Sequence, residues 1–259
     1  MLLLREALIK FMEEKMDDLR IIQSHSPNFD NRTLPISLLI LHYTGMKTAM
    51  EALDKLCSVK SKVSSHYLVF ENGEIHHLVP DHKRAWHAGV SSWRGEKNIN
   101  SCSIGMEIVN CGHNYLNLDG ELPRYPKKQM NAVIALSKKI IDQHGQLEFL
   151  GHSDIAPSRK KDPGEHFPWQ YMASHGIGKW PIVKTNDRRV LFELNDRDRG
   201  ISIVQQGLAK LGYSAYITGV MDQNTVDIIL AVQRRYRQDQ VDGILDIMTM
   251  EIIKSLLEI

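Results

Sequence analysis

The sequence predicts an α/β fold, with a mixed central β-sheet flanked by helices, followed by a small all-α domain. Three features carry that expectation: the continuous apolar run ISLLILHY at 36–43, an Asn72-Gly73 pair between two strand-like runs, and an amphipathic stretch over 126–144. Strands and helices mingle along the chain, and the hairpin supplies an antiparallel pair. That combination suits a mixed sheet under helices better than a bundle or a sandwich.

The elements follow in order. In MLLLREALIKFMEEKMDDLR, charges from Arg5 onward interrupt any signal-peptide apolar core. Leu4, Ala7, Leu8, Phe11 and Met12 instead recur at helical spacing, so residues 1–30 read as a helical extension. Ile36 to Tyr43 is long enough for a buried strand and stops at Thr44-Gly45. Thr48-Ala-Met-Glu51 is a capping box opening a helix through about Leu56. Ser65–Glu71 and Glu74–Val79 flank Asn72-Gly73, the strongest short hairpin signal. In Ser103–Asn110, alternation puts Ile104, Met106 and Ile108 on one face and Gly105, Glu107 and Val109 on the other. Met130, Val133, Ile134, Ile140 and Ile141 mark a helix with Pro126 near its start and Gly145 past its end. Leu147–Leu150 is a short strand running into Gly151-His152.

From Gly176 to Gly200 the texture changes, ending in the charged NDRDRG, and residues 181–200 read as a linker between a domain at 31–180 and another at 201–259. In the latter, Gly219, Asp222 and Thr225 recur as Gly243, Asp246 and Thr249, each time before an apolar helical stretch. This repeat predicts a small, separately folded helical domain with Asp or Thr capping each repeated helix. It contains no histidine and reads as a binding module.

Bulk composition narrows the function. The 259 residues are 42% hydrophobic and 24% charged with a formal net charge of +1, so no strong basic field draws nucleic acid or anionic membrane. No transmembrane segment is legible, and a monomer is expected. Cys57, Cys102 and Cys111 lack both the number for a disulfide framework and the paired spacing of a structural zinc site. Histidine is the unusual residue, with twelve in the chain.

The segment GHSDIAPSRKKDPG at 151–164, a loop by composition, holds His152, Lys160 and Asp162 close together. His and Asp are good zinc ligands, and a catalytic zinc keeps three protein ligands. The third must come from elsewhere, and His42 is well placed at the end of a buried strand. Spacing alone does not separate this trio from structural histidines.

Four ordered motifs go further: LHYTG at 41–45, AWHAGVSSWRG at 85–95, SIGMEI at 103–108 and the 151–164 segment. Over roughly residues 35–175 they resemble the zinc-dependent N-acetylmuramoyl-L-alanine amidases, relatives of the animal peptidoglycan recognition proteins. The C-terminal repeat resembles the peptidoglycan-binding domain often attached to wall hydrolases. The resemblance implies zinc ligation by His42, His152 and Asp162, a catalytic Glu107, and Lys160 as the basic residue of the loop. It implies hydrolysis of the amide between N-acetylmuramic acid, or its 1,6-anhydro form, and L-alanine. Zinc lowers the pKa of water to about 7, Glu107 takes a proton, and Lys160 helps to stabilise the oxyanion. Gly105 is read as leaving space beside the glutamate for substrate. Trp86, His87 and Ala88 border the groove, and Asn110 and Arg159 are candidates for contacting sugar or stem peptide. His66 is read as a satisfied structural histidine, and His76, His77 and His82 as surface groups.

Non-catalytic peptidoglycan receptors share the same fold, but their metal site is usually incomplete, whereas all three ligands and Glu107 are present here. A histidine-rich metal nuclease fits poorly with near-neutral charge. A wall-binding module points to the cell envelope or secretion, while the missing signal peptide points to the cytoplasm.

Overall fold

The computed structural model describes residues 19–259. The chain runs β1 (Ile21–Gln23), β2 (Phe29–Asn31), β3 (Leu38–Tyr43), α1 (Ala49–Cys57), β4 (Tyr67–Val69), β5 (Ile75–His77) and β6 (Lys83–Ala85). It continues through α2 (Ile99–Cys102), β7 (Ser103–Ile108), α3 (Lys127–His144), β8 (Glu148–Gly151), α4 (His152–Ile155) and α5 (Trp169–Ser174). The C-terminal region holds β9 (Val190–Phe192), α6 (Arg199–Leu211), α7 (Gln223–Tyr236), β10 (Leu245–Asp246) and α8 (Ile247–Glu258).

Six strands form one mixed sheet in the order β1-β5-β4-β7-β3-β8. The β4–β5 hairpin is its antiparallel pair, and the other neighbours run parallel. The tight turn rests on Gly73, whose φ of +86° is a conformation that side chains with a Cβ resist. Between β7 and β8, β3 has helices or loops over both faces, which is why its sequence is continuously apolar. Leu39 and Leu41 join Ile104, Met106, Ile108 and the Met130, Val133 and Ile140 face of α3 in one cluster. On the opposite face Leu38 and Ile40 meet Trp93, Ile99, Leu150 and Ile155. Thr48 caps α1, its hydroxyl accepting from the Glu51 amide at 3.1 Å.

Several expectations change. The helix read at Leu4–Met12 lies outside the described residues. Beyond it the N-terminal extension is not helical, because β1 joins the sheet parallel to β5. That makes β5 internal, so His76, expected at the surface, is buried between Ser24 and Glu74. His77 is half-buried and stacks on Tyr67, while His82 is exposed. The 151–164 segment, expected to be loop throughout, opens as the short helix α4.

The C-terminal repeat folds as its sequence implies. Asp222 and Asp246 cap α7 and α8, accepting from the Thr225 and Thr249 amides at 2.9 and 2.8 Å. Each turn before a cap closes on a buried glutamine. Gln205 binds the Gly219 amide and the Val220 carbonyl, and Gln233 binds the Gly243 amide and the Ile244 carbonyl. The segment read as a linker supplies β9, which pairs with β10. The repeat is also not isolated from the sheet. Ile201, Val204, Leu208, Tyr213, Ile228 and Ile252 share one hydrophobic cluster with Leu38, Ile40, Trp93 and Leu150. Trp93 and Tyr213 meet edge to face at 4.9 Å.

Candidate metal centre

The C-terminal ends of β3 and β8 meet the 151–164 segment at one point. His42, His152 and Asp162 converge there, at 1%, 2% and 6% exposure. His42 Nδ1 lies 2.9 Å from His152 Nδ1 and 2.9 Å from Asp162 Oδ2, and His152 Nδ1 lies 3.0 Å from that oxygen. Among the described residues this is the one such group with metal-ligand geometry.

The hydrogen-bond partners fix the tautomers. His152 Nε2 is 2.9 Å from the Ala88 carbonyl, which can only accept, so Nε2 carries a proton and the neutral ring presents Nδ1 as a lone pair. Ser103 donates its hydroxyl to the Ile99 carbonyl at 2.6 Å and so accepts from His87 Nε2 at 3.2 Å. His87 Nδ1 then accepts from His42 Nε2 at 3.0 Å, leaving His42 Nδ1 bare as well. Burial, and then neighbouring His152, hold His42 down to about 4, so it is neutral at pH 7. Burial alone would raise the Asp162 carboxyl; positive charge at His152 and His42 outweighs it and keeps it well below the usual carboxylate range, and with both rings neutral a bound cation would supply that charge. With both rings neutral, two imidazole lone pairs and a carboxylate oxygen face one another, an arrangement that calls for a cation. The edges of 2.9–3.0 Å are shorter than twice a zinc–ligand bond of about 2.0–2.1 Å, so one ion can touch all three.

Glu107 stands beside this trio because β3 and β7 pair in parallel with His42 opposite Glu107. Both point to the same sheet face and line a cleft of about 550 Å³ with Lys160, Trp86, His113 and Asn114. Glu107 Oε2 has no hydrogen-bond partner among the described residues. Burial, with Asp162 adding to it, pushes the Glu107 carboxyl up to about 8.

Gly105 has a different use from the one its sequence suggests. A Cβ there would lie 2.5 Å from the His87 ring, so the space it leaves holds His87 rather than substrate. The other residues read as substrate contacts divide. Trp86 lines the cleft, its indole N–H bound to Asp30 at 3.1 Å. His87 lines it too, but both ring nitrogens are engaged with His42 and Ser103. Ala88 is fully buried and works through its carbonyl, which accepts from His152 and, at 2.9 Å, from Arg159. Arg159 lines the rim and also donates to the Val90 carbonyl at 2.7 Å. Asn110 is buried outside the cleft, tied to Pro123 and Gly112. Its side chain builds the loop after β7. His66 is buried and accepts from the Gly105 amide at 2.9 Å, as expected of a structural histidine. Tyr43 and His113, joined at 3.1 Å on the cleft wall, had no distinguishing sequence signal beyond their places beside His42 and in the CGHN stretch.

The N-acetylmuramoyl-L-alanine amidase family matches residues 32–165, the span that holds His42, Glu107, His152, Lys160 and Asp162. The chain belongs to the N-acetylmuramoyl-L-alanine amidase family. As such an amidase it is a hydrolase of the bond between N-acetylmuramic acid and L-alanine of the peptidoglycan stem. The peptidoglycan binding domain family matches residues 197–253. The amidase is 36% identical to N-acetylmuramoyl-L-alanine amidase AmiD of Escherichia coli, over 86% of this chain and 83% of that protein. Against 1,6-anhydro-N-acetylmuramyl-L-alanine amidase AmpD of Escherichia coli it is 38% identical, over 42% of this chain and 55% of that one. In structure it is similar to AmiD from E. coli in complex with the substrate anhydro-N-acetylmuramic acid-L-Ala-D-gamma-Glu-L-Lys. That likeness has a TM-score of 0.74 and 33% identity, over 86% of this chain and 89% of that one. No helix among the described residues is long and apolar enough to cross a membrane.

Proposed function

We propose that this amidase is a zinc enzyme that acts on muropeptides, the 1,6-anhydro forms among them, with His42, His152 and Asp162 as its metal ligands. The observation that carries the reading is the buried triangle of two imidazole nitrogens and one carboxylate oxygen, a donor set suited to zinc. Zinc held there supplies Lewis acidity, polarising the scissile carbonyl and making water a nucleophile near neutral pH.

The chain's own groups do the rest. Glu107, with Oε2 unpartnered among the described residues and ionised once a cation in the triangle offsets the burial that raises it, takes a proton from the attacking water and returns it to the nitrogen of the departing L-alanine. Lys160, on the cleft wall, brings positive charge to the oxygen that becomes anionic at the lactyl carbonyl. His87 orients His42 by accepting from its Nε2, and the Ala88 carbonyl does the same for His152. Trp86 and Arg159 form the rim available to sugar or stem peptide. Action on the 1,6-anhydro forms is supported by the ligand in the AmiD complex, and work at the cell envelope by the match to a peptidoglycan binding domain.

His152→Ala tests the assignment. It is expected to lose both bound zinc, by elemental analysis, and release of peptide from anhydro-muropeptides, by mass spectrometry. Full zinc occupancy in that variant refutes the ligand set.

A further inference from the structure

None of the residues lining the cleft comes from beyond Asp162, yet the C-terminal region reaches the segment behind it at several points. Arg235 on α7 donates from Nη1 to Asp154 Oδ2 at 2.7 Å and from Nη2 to the Phe149 carbonyl at 2.8 Å. Tyr213, just past α6, donates its hydroxyl to Asp154 Oδ1 at 2.8 Å. Asp154 Oδ2 also accepts from the Gly151 amide at 2.7 Å. Asp154 and Arg235 are 1% and 5% exposed, and the guanidinium lies 4.2 Å over the Trp169 ring.

Asp154 sits two residues after His152 on α4, a helix of four residues. So short a helix has no stability of its own, because each turn must be nucleated at a cost that length has not repaid. The Ala88 carbonyl holds the His152 ring, and the clamp on Asp154 holds the backbone turn that carries it. The second ligand is tied to the same turn, since the Ser153 amide donates to the Asp162 carbonyl at 2.9 Å. Arg234, the neighbour of Arg235, donates to Glu165 at 2.8 Å, and Gln238 donates to the Phe167 carbonyl at 2.7 Å. Helix α7 and the turn after it thus grip residues 149–167 from end to end, and that segment carries two of the three ligands.

We infer that Arg235 is a positioning residue for the metal ligand His152, so that the C-terminal region holds the catalytic centre in its metal-binding shape. This is a different role from a tethered wall-binding module, and it rests on the zinc reading above. It also differs from general stabilisation, which the shared hydrophobic cluster already supplies.

The test uses the full-length chain with Arg235→Gln, Arg235→Lys and Tyr213→Phe. Zinc affinity is read by competition with a chromophoric chelator, and amide exchange of residues 151–156 is read in the metal-free protein. Turnover of a soluble anhydro-muropeptide and the thermal midpoint complete the set. Loss of a group that orients a ligand typically costs about 10- to 100-fold in metal affinity. Arg235→Gln is expected to weaken zinc binding by that amount, speed exchange at 151–156, and lower kcat with KM little changed. Arg235→Lys recovers part of the affinity, and Tyr213→Phe, which removes one hydroxyl, loses less. A folded Arg235→Gln with a lower thermal midpoint but wild-type zinc affinity overturns the inference. Should that variant not fold, Tyr213→Phe decides: weaker zinc binding supports the positioning role, and unchanged binding overturns it. A wild-type chain that takes up no zinc overturns the proposed function and this inference with it. Wild-type and variants binding zinc equally overturn this inference alone.

Discussion

His87 stands behind His42, its Nδ1 3.0 Å from His42 Nε2, in a space that exists because residue 105 is glycine. The pair turns the lone pair of His42 Nδ1 toward His152 and Asp162. His87→Ala is expected to raise the zinc dissociation constant about 10- to 100-fold without removing any ligand. Chelator competition measures it. Unchanged affinity, with a higher KM instead, would assign His87 to substrate contact, the role its sequence context suggests.

Gly105→Ala probes the same space from the other side. A methyl group 2.5 Å from the His87 ring forces that ring to move, at a typical cost of about 1–3 kcal/mol for overpacking. The expected result is a lower thermal midpoint together with weaker zinc binding. A variant with normal zinc affinity would show that the ring can shift without disturbing His42.

Glu107→Ala is expected to keep zinc and lose about 10²- to 10⁴-fold in turnover, the usual loss for a general base. The glutamate also makes a stability prediction. Its folded pKa, pushed up to about 8, lies above the unfolded value of about 4.3, so the metal-free protein loses stability as pH rises from 4 to 8. Glu107→Gln removes that loss. In chelator at pH 8 it is expected to be more stable than wild type by on the order of 2 kcal/mol, after allowance for solvent at the cleft. Thermal midpoints that coincide near pH 4 and a higher one for the variant at pH 8 are the signature to look for.

Glu165 gives the opposite slope. Burial alone would raise it, but His113 and Arg234 outweigh that and bring it down to about 2. Its contribution is present above about pH 4.3 and is lost as pH falls toward 2. Arg234→Gln removes one of the groups that hold the carboxyl down, so acid unfolding should begin at higher pH. Coincident acid-unfolding curves for the two proteins would remove Glu165 from this role.

A chain ending near Lys184 is expected, from the sequence alone, to act normally on soluble muropeptides and poorly on sacculi. The structure changes the first half of that expectation. Truncation bares Leu38, Ile40, Trp93 and Leu150 and leaves the buried Asp154 without Arg235. Stranding one member of a buried ion pair costs about 3–5 kcal/mol. Soluble activity and thermal stability should therefore fall along with activity on sacculi. Full activity of the truncated chain on a soluble muropeptide would restore the reading of the repeat as a detachable module.

Much of the site was legible in the sequence because its groups lie in short, ordered motifs at the ends of recognisable strands. His42 closes an apolar run that could only be a buried strand. Glu107 interrupts the polar-poor face of a strand whose alternation was plain. Asp222 and Asp246 announced themselves as caps through their spacing to Thr225 and Thr249. These are local properties, fixed by neighbours within a few residues. Tertiary structure alone decided the rest. Strand β1 is three residues long and carries no period to read, and its pairing buries His76 far along the chain. The space beside Gly105 belongs to His87 because a loop after β6 folds over β7, a contact no spacing encodes. The grip of Arg235 on Asp154 joins residues 81 apart in sequence, and each charge by itself reads as solvated surface. Motifs report which atoms can do chemistry. Long-range packing decides which groups hold those atoms in place.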